Sequence, residues 1–534
     1  MKRLVLFTAV LTMLCSASAW AQVQYSVGNF MRYGNGEQTV GGTPRAKEYI
    51  ENQTNVRLFW DNFTVGFEYL YDDPPEFGPR FQGIRKRYVE FAKKGLELRA
   101  GDFYTLYGKG LAMNLFENRG INYDTRLDGI RGTYRNRHMN AIFAMGTLKY
   151  YDLLNSDRIE QYSVKSGHME VRPFRFMRIG GSIVSADGDL PMAFGMDEVH
   201  ADIPEFMMSL RGMGFDVFVQ RAWKRSSIYS PTADGAFTSY ERDGDAWYGS
   251  VSYTADFGLG MTFEYKDYRF DVVGEEERDP NRPGRMLPMQ NPPIVHKEHY
   301  FTLLSRNPHV VDFNDEIGMQ MDVFYSVSPS MTINLNGAVA SRHDGYTSSN
   351  GFLVTHERDV EFMPTLDEKF SPFYELYGEV EWYFTEHSYV RAAANRRYDA
   401  PYEANQAHEQ SSWTFPIRIE YMLDDEYSIG AAFEQQFYHD SFLAKPDYFN
   451  EFVSLTFAKA AAWSATLRME YTTDEADQTG KDFWRSVELA YRLGNDHLAT
   501  ISYGTERGGL ICTSGICREI LPFDGVRISL LSQL

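Results

Sequence analysis

The sequence predicts an all-β chain closed into a transmembrane antiparallel β-barrel of about 22 strands, within a range of about 20–24. Three observations predict it. Apolar and polar residues alternate with period two along most of the chain after residue 21. Two- and three-residue polar turns join many of the alternating stretches. Charged residues sit opposite the apolar ones. Period two is the signature of a strand, because successive side chains leave a strand on opposite faces.

The chain opens Met1-Lys2-Arg3, runs apolar from Leu4 to Leu14, and reaches Ala19-Trp20-Ala21 before Gln22. A positive start, a short apolar core and a small-x-small site read as a secretory signal peptide over residues 1–21. Residues 22–534 then read as a single barrel domain, with inserts near 101–126 and 271–312. No later run of 18 apolar residues offers a helical span.

In Thr54–Tyr71, Val56, Leu58 and Trp60 alternate with Arg57, Phe59 and Asp61. After Asp61-Asn62 the alternation resumes with Phe63, Val65, Phe67 and Tyr69. Trp413, Phe415, Ile417, Ile419, Tyr421 and Leu423 share one face of a later segment. Val487, Leu489 and Tyr491 face away from Glu488 and Arg492. Short turns at Asp61-Asn62, Asn136–His138, Asp256–Gly258, Ser328–Ser330, Asp424–Glu426 and Gly494–Asp496 suit antiparallel hairpins. Long loops are expected on the other side, near 187–210, 225–245, 271–312, 342–371, 399–411 and 439–449. The end of the chain is still a strand, with Val526, Ile528 and Leu530 alternating with Arg527 and Ser529, although it closes on Leu534 and not on an aromatic residue.

Hydrocarbon explains these strands better than a soluble core does. Within lipid every backbone polar group must be paired inside the protein, and a closed sheet achieves that. Glu68, Glu97, Arg99, Arg418, Glu420, Arg468, Glu470, Glu488 and Arg492 would be costly in a dry sandwich core, and are expected to line a hydrated lumen. Trp60, Tyr69, Trp247, Trp413 and Tyr427 fall near strand ends, where aromatic girdles stand. A propeller would show a repeat of roughly 40–50 residues, and none appears. The expected location is the outer membrane of a Gram-negative bacterium, with outer-membrane lipid and lipopolysaccharide as partners. A formal net charge of −20 argues against nucleic acid.

Three segments stand out from the strand pattern. Residues 101–126, GDFYTLYGKGLAMNLFENRGINYDTR, are broken by glycines. They are expected to fold inward as a constriction lined by Lys109, Glu117, Arg119 and Asp124, the plainer reading being a bulged strand and a loop. Residues 273–311 begin with Glu275-Glu276-Glu277, turn Pro-rich, and carry His296, His299 and His309. They are expected to form an extracellular lid or a lumen plug docked through Tyr300, Phe301 and Leu303, the plainer reading being a surface loop. Cys512 and Cys517 are expected to form a disulfide pinning a tight turn. No HExxH or DxDxDG spacing marks a metal site. The loop acids Glu357, Asp359, Glu361, Asp367 and Glu368 leave room for a structural calcium, and no other cofactor is expected. No Ser-His-acid grouping points to an enzyme.

The stretches GDFYTLYGKGL (101–111), NPPIVHKEHYFTLLSR (291–306) and GGLICTSGICREILPFDG (508–525) carry a resemblance. The chain resembles the large outer-membrane barrels of Gram-negative bacteria, and among them an uncharacterised porin-like family of Bacteroidota and related phyla. That resemblance implies a barrel over nearly the whole mature chain and supplies no substrate or site residue. Strands begin almost at once after residue 22, so an active TonB-dependent receptor is not expected. Two functions follow as expectations. One is a channel or porin-like protein passing polar solutes. The other is a structural or scaffolding barrel that partners a lipoprotein, a secretion component or an electron carrier, engaging a periplasmic or surface protein.

Overall fold

The computed structural model describes residues 23–534 apart from 152–158, 193–194, 232–236, 271–286, 350–351, 357, 359 and 404–405. The leader, the acidic run Glu275–Glu277, Glu357 and Asp359 lie outside the described residues.

A single sheet holds 24 strands. Each is antiparallel to the strand before it, and the last pairs with the first. Gln24–Val40 pairs with Thr43–Trp60 on one side and with Phe523–Gln533 on the other, from Gly28↔Gln533 to Gln38↔Phe523. Val27 and Leu534 exchange backbone hydrogen bonds of 2.9 and 2.8 Å. The sheet is therefore a closed barrel with no free edge. Most of the short connections lie at one end, where both chain ends of the barrel also lie, while Gly41-Gly42 makes a two-residue turn at the other. Asp61, Lys94-Gly95 and Met213-Gly214 turn at the first end with positive φ, the twist that two-residue hairpins need.

Closure brings two glycines together across the seam. Gly36 stands opposite Gly525, and a Cβ on Gly36 would lie 2.1 Å from the Asp524 carbonyl oxygen. Gly36→Val is expected to prevent closure, so that most of the protein loses the compact, heat-modifiable band of a folded barrel on an unboiled gel. Gly28→Ala, with nothing within 4 Å of the added Cβ, is expected to keep that band. A Gly36→Val protein that runs as the parent does would refute the close approach.

Two features differ from expectation. The barrel has 24 strands, at the upper limit of the expected range and above the preferred value of about 22. The described residues of 187–210 and 225–245 do not form long loops. They belong to the strands Met177–Met192, Gly195–Gly212, Phe215–Pro231 and Phe237–Thr254. The far halves of these strands reverse the usual sidedness. Val184, Ala186, Val199, Ala201 and Ile228 are buried on the inner face, while Asp187, His200 and Ser227 are exposed on the outer one. Period two persists there, but its apolar side has turned inward, so a search for outward apolar residues passes over it. Between residues 342 and 372 the chain adds a small hairpin, Gly345–Ser349 with Phe352–His356.

Lower on the wall the sidedness is that of a barrel in an apolar medium. Phe63, Val65 and Phe67, Phe415, Ile417 and Ile419, and Val487, Leu489 and Tyr491 all point outward and are exposed. No described helix is long and apolar enough to cross a membrane. The main apolar core lies inside the barrel, where buried wall residues such as Val164, Val184 and Tyr248 meet Leu111, Met113, Met289, Val295, Phe313 and Ile516 from three inserts.

Candidate functional site

The three inserts all enter from the end opposite the tight turns, and together they plug the barrel. The first is residues 104–126, which include the small hairpin Glu117–Asn118 with Tyr123–Asp124. The second is residues 287–315. The third is the hairpin Gly509–Thr513 with Ile516–Ile520, bridged by Cys512–Cys517.

The inserts are tied to one another before they are tied to the wall. Asn114 and Asn291 each donate a side-chain N–H to the other's backbone carbonyl, at 2.9 and 2.8 Å. The Gln290 amide donates to the Leu111 carbonyl at 3.1 Å, and the Tyr123 hydroxyl to the Pro288 carbonyl at 2.8 Å. Glu298 accepts the Ser514 N–H. Segments with little helix or sheet of their own must place their backbone polar groups somewhere, and these exchanges supply partners.

The first insert carries most of the expected constriction residues into one network. Arg85 of the wall donates to Glu68 (3.1 Å), Glu117 (2.8 Å) and Asp124 (2.8 Å). Lys86 pairs with Glu117, and Arg119 with Glu51. Burial would raise the Asp124 carboxyl, but Arg126 and Arg85 hold it below its ordinary value. Lys109 stands apart: its backbone N–H donates to Gln220 at 2.8 Å, and its ammonium sits 5.7 Å from the Phe218 ring centroid. Elsewhere the insert meets the wall where Glu205 accepts the Ala112 N–H at 3.0 Å and where Tyr107 bonds Ser166 at 2.9 Å.

The second insert is latched at several points. Phe301 and Leu303 are buried, as expected of docking residues, whereas Tyr300 is half exposed and reaches the wall through its hydroxyl, which bonds Glu379, and through its ring, 5.0 Å from the Arg391 guanidinium. Glu434 accepts the N–H groups of Thr302 and Leu303 at 2.9 and 2.7 Å. Arg306 forks onto Glu470, which also takes Arg507 at 3.0 Å. Arg397 donates to the Leu304 and Asn307 carbonyls at 3.2 and 3.1 Å.

The most buried latch centres on Glu316. Fully buried Lys266 pairs with Glu316 and donates to the Ile294 carbonyl at 2.6 Å. Glu316 also accepts the Asp312 N–H at 2.8 Å. His309 stands between Asp399 at 2.7 Å and Glu316 at 3.3 Å. Burial opposes the charge on His309, but Asp399 and Glu316 outweigh it and raise the imidazole to about 9. His296, whose ring is 5.6 Å from that of His309, is held well below its ordinary value by burial and by His309. His343 at the next loop sits between Asp315 (2.8 Å) and Asp267 (2.9 Å), and these acids raise it against the effect of burial. His299 meets Glu375 at 3.0 Å and packs 4.8 Å from the Tyr377 ring. The three insert histidines thus serve hydrogen bonding and packing, and among the described residues no group of His, Cys, Asp and Glu could hold a metal ion.

Other expected wall residues pair locally. Arg418 donates to Glu420 at 2.8 Å, Arg468 to Glu488 at 3.2 Å and Arg99 to Glu90 at 3.3 Å. Glu97 pairs with Arg131, and Arg492 is exposed beside the tight-turn end. Sequence reasoning missed Arg85, Lys266, Arg306, Glu316, Arg397, Glu434 and Arg507. An inward charge near the upper end of a strand was the available signal, yet nothing local distinguishes a latch from a solvated wall charge. Cavities of about 350 Å³ beside Arg306 and Glu470, and about 320 Å³ beside His309, separate plug from wall.

A family model described as a family of unknown function, DUF6029, matches residues 1–534. No curated protein matches. Among solved structures, the chain is similar to the siderophore receptor PirA from Pseudomonas aeruginosa (TM-score 0.46, 6% identity, 95% of this chain and 80% of that one). It is also similar to the copper transporter OprC (0.45, 9%, 96% and 81%) and to the P pilus usher PapC translocation pore (0.41, 9%, 95% and 99%). Likenesses this remote do not say what the chain moves or holds.

Proposed function

The chain belongs to DUF6029, a family of unknown function, and we propose that within it this protein is an outer-membrane channel for polar solutes, closed from the long-loop side by a latched plug. The observation that carries the reading is the contrast between the two halves of the interior. On the long-loop side three inserts fill the lumen. On the tight-turn side the wall carries Ser454, Thr456, Ser464 and Thr466, with the pairs Arg418–Glu420 and Arg468–Glu488, on the face turned from the outward apolar residues. Such a wall holds water and sets a transverse field suited to polar solutes.

The outer face supports a membrane setting. A closed sheet with exposed Phe, Ile, Leu and Tyr outside and charges inside is stable when hydrocarbon surrounds it. In outer-membrane barrels the tight turns face the periplasm and the long loops face outward. The Arg221 guanidinium lies 4.8 and 4.5 Å from the Trp223 and Trp247 ring centroids, at the upper edge of the apolar band. Arg221 also pairs with Asp245 at 2.9 Å, so the interface there carries a charge pair beside two indoles.

The plug is held by an apolar core together with hydrogen bonds and ion pairs to the wall, and its removal tests the reading. In planar bilayers the intact protein is expected to pass little current. A variant with residues 287–311 replaced by a Gly-Ser linker is expected to conduct at least about tenfold more, because the polar half of the lumen then meets both solutions. Equal conductance of the two proteins would sink the proposal, as would a mature chain that is folded and monodisperse without detergent.

A further inference from the structure

The tight-turn rim of the barrel is electrically divided. Consecutive hairpins bring Lys93 and Lys94, then Arg135 and Arg137, then Arg172 and Arg175, to one sector, and the next hairpin carries Arg211 already paired with Asp216. The other turns of the same rim carry Asp61, Asp256, Glu386, Asp424, Asp425 and Asp496. In a chain of net charge −20, cations gathered on adjoining hairpins form a local field opposite in sign to that of the whole molecule.

Within the basic sector lies a cleft of about 410 Å³, lined by Arg135, Arg137, His138, Arg172 and Arg178, with Glu170 as its one acid. Glu170 is already engaged, 3.6 Å from His168 and 3.7 Å from Arg178. Among the described residues Arg135, Arg137, Arg172 and Arg175 enter no ion pair. The cleft is held in shape by local hydrogen bonds: the Asn136 side-chain Oδ1 accepts the His138 and Met139 N–H groups at 2.8 and 2.9 Å, and the Arg172 N–H donates to the His138 carbonyl at 2.7 Å. Beside it Phe174 and Phe176 stack at 5.4 Å while more than half exposed, and Met213 on the next hairpin is 95% exposed.

We propose that this sector is a docking site for an acidic segment of a periplasmic protein, seated at the mouth of the barrel. Only its placement in the periplasm rests on the outer-membrane reading. Guanidinium groups without carboxylates of their own fork onto carboxylates and confer orientation as well as attraction. Met213, exposed on the next hairpin of the rim, supplies an apolar contact that charge alone lacks. A lipid headgroup fits less well, because Asn140, Glu170 and Arg178 share the sheet face of buried Ala144, His168 and Gly180, which turns the cleft towards the lumen and away from the surrounding lipid.

The test uses the full-length protein in phosphatidylcholine nanodiscs and a dye-labelled deca-glutamate peptide read by fluorescence anisotropy. The peptide is expected to bind, and to weaken at least about tenfold when ionic strength rises from low to near-molar, as a screened charge contact does. Arg137→Glu with Arg172→Glu and Arg175→Glu is expected to lose that binding while keeping the heat-modifiable band of a folded barrel. Asp424→Lys with Asp425→Lys on the acidic sector is expected to change it less than about twofold. No binding, or equal binding by the triple variant, overturns the proposal. So does displacement of the peptide by phosphatidylglycerol in the disc, which would make the sector a lipid site. Failure of the outer-membrane reading would look different: the chain would be folded without detergent or disc, and peptide binding would persist.

Discussion

Lys266→Met is expected to destabilise the seated plug by roughly 3–5 kcal/mol, the usual cost of removing one partner from a buried ion pair. Lys266 has no exposed surface and serves two partners at once, the Glu316 carboxylate on the wall and the Ile294 carbonyl on the insert. Methionine matches its stem but leaves Glu316 buried with His309 as its remaining cation. The double variant Lys266→Met with Glu316→Gln is expected to cost less than the single one, because no orphaned charge then remains. Hydrogen exchange of the amides in 287–315, measured across a urea series, reads the local opening free energy. A single variant as protected as the parent, or a double variant worse than the single, would dismiss Glu316 as the centre of the latch.

Raising the pH from about 6.5 to 9 is expected to loosen the same region by an amount of the order of 3 kcal/mol. His309 in the folded protein titrates near 9, against about 6.5 in an unfolded chain. Its contribution is therefore fully present below about pH 6.5 and is lost as the pH climbs through about 9. Facing it are Asp399 and Glu316 from the strands, and Lys266, Asp312, Arg342 and His296 close by. His296, pushed well below its ordinary value by burial, stays neutral over this window. His343, raised between Asp267 and Asp315, acts in the same direction. Proteolytic cleavage within 287–315 is expected to accelerate across this range in the parent, less steeply in His309→Gln, and least in the variant that also carries His343→Gln. Unchanged pH dependence in the double variant would remove these imidazoles from the latch. The cavity of about 320 Å³ beside His309 gives water a route to the ring.

The barrel itself was legible because its determinants are local. In Trp413–Leu423 each residue declares its face by its immediate neighbours, and Asp61-Asn62 or Asn136–His138 declare a turn by their own chemistry. The same reasoning miscounted the strands where Val184, Val199 and Ile228 face inward and Asp187 and His200 outward. The two faces had exchanged environments there, and alternation by itself does not say which side is wet.

Membership of the charge network in the first insert was partly legible too. Glu117, Arg119 and Asp124 were singled out as polar groups in a glycine-broken stretch, and they meet around Arg85 and Glu51. Lys109, from the same stretch, joins a different part of the wall, because Gly108 and Gly110 turn the chain with positive φ on either side of it.

By itself, then, the amino-acid order decided that this chain alternates, turns and closes as a sheet, since those properties depend on residues a few positions apart. What fills the closed sheet was decided only in three dimensions. Asn114 meets Asn291, Lys266 meets Ile294 and Glu316, and Arg306 meets Glu470. Those contacts form because a cylinder of this width brings distant inserts into one confined space, where each buried charge and each unpaired backbone group must find whichever partner the wall presents.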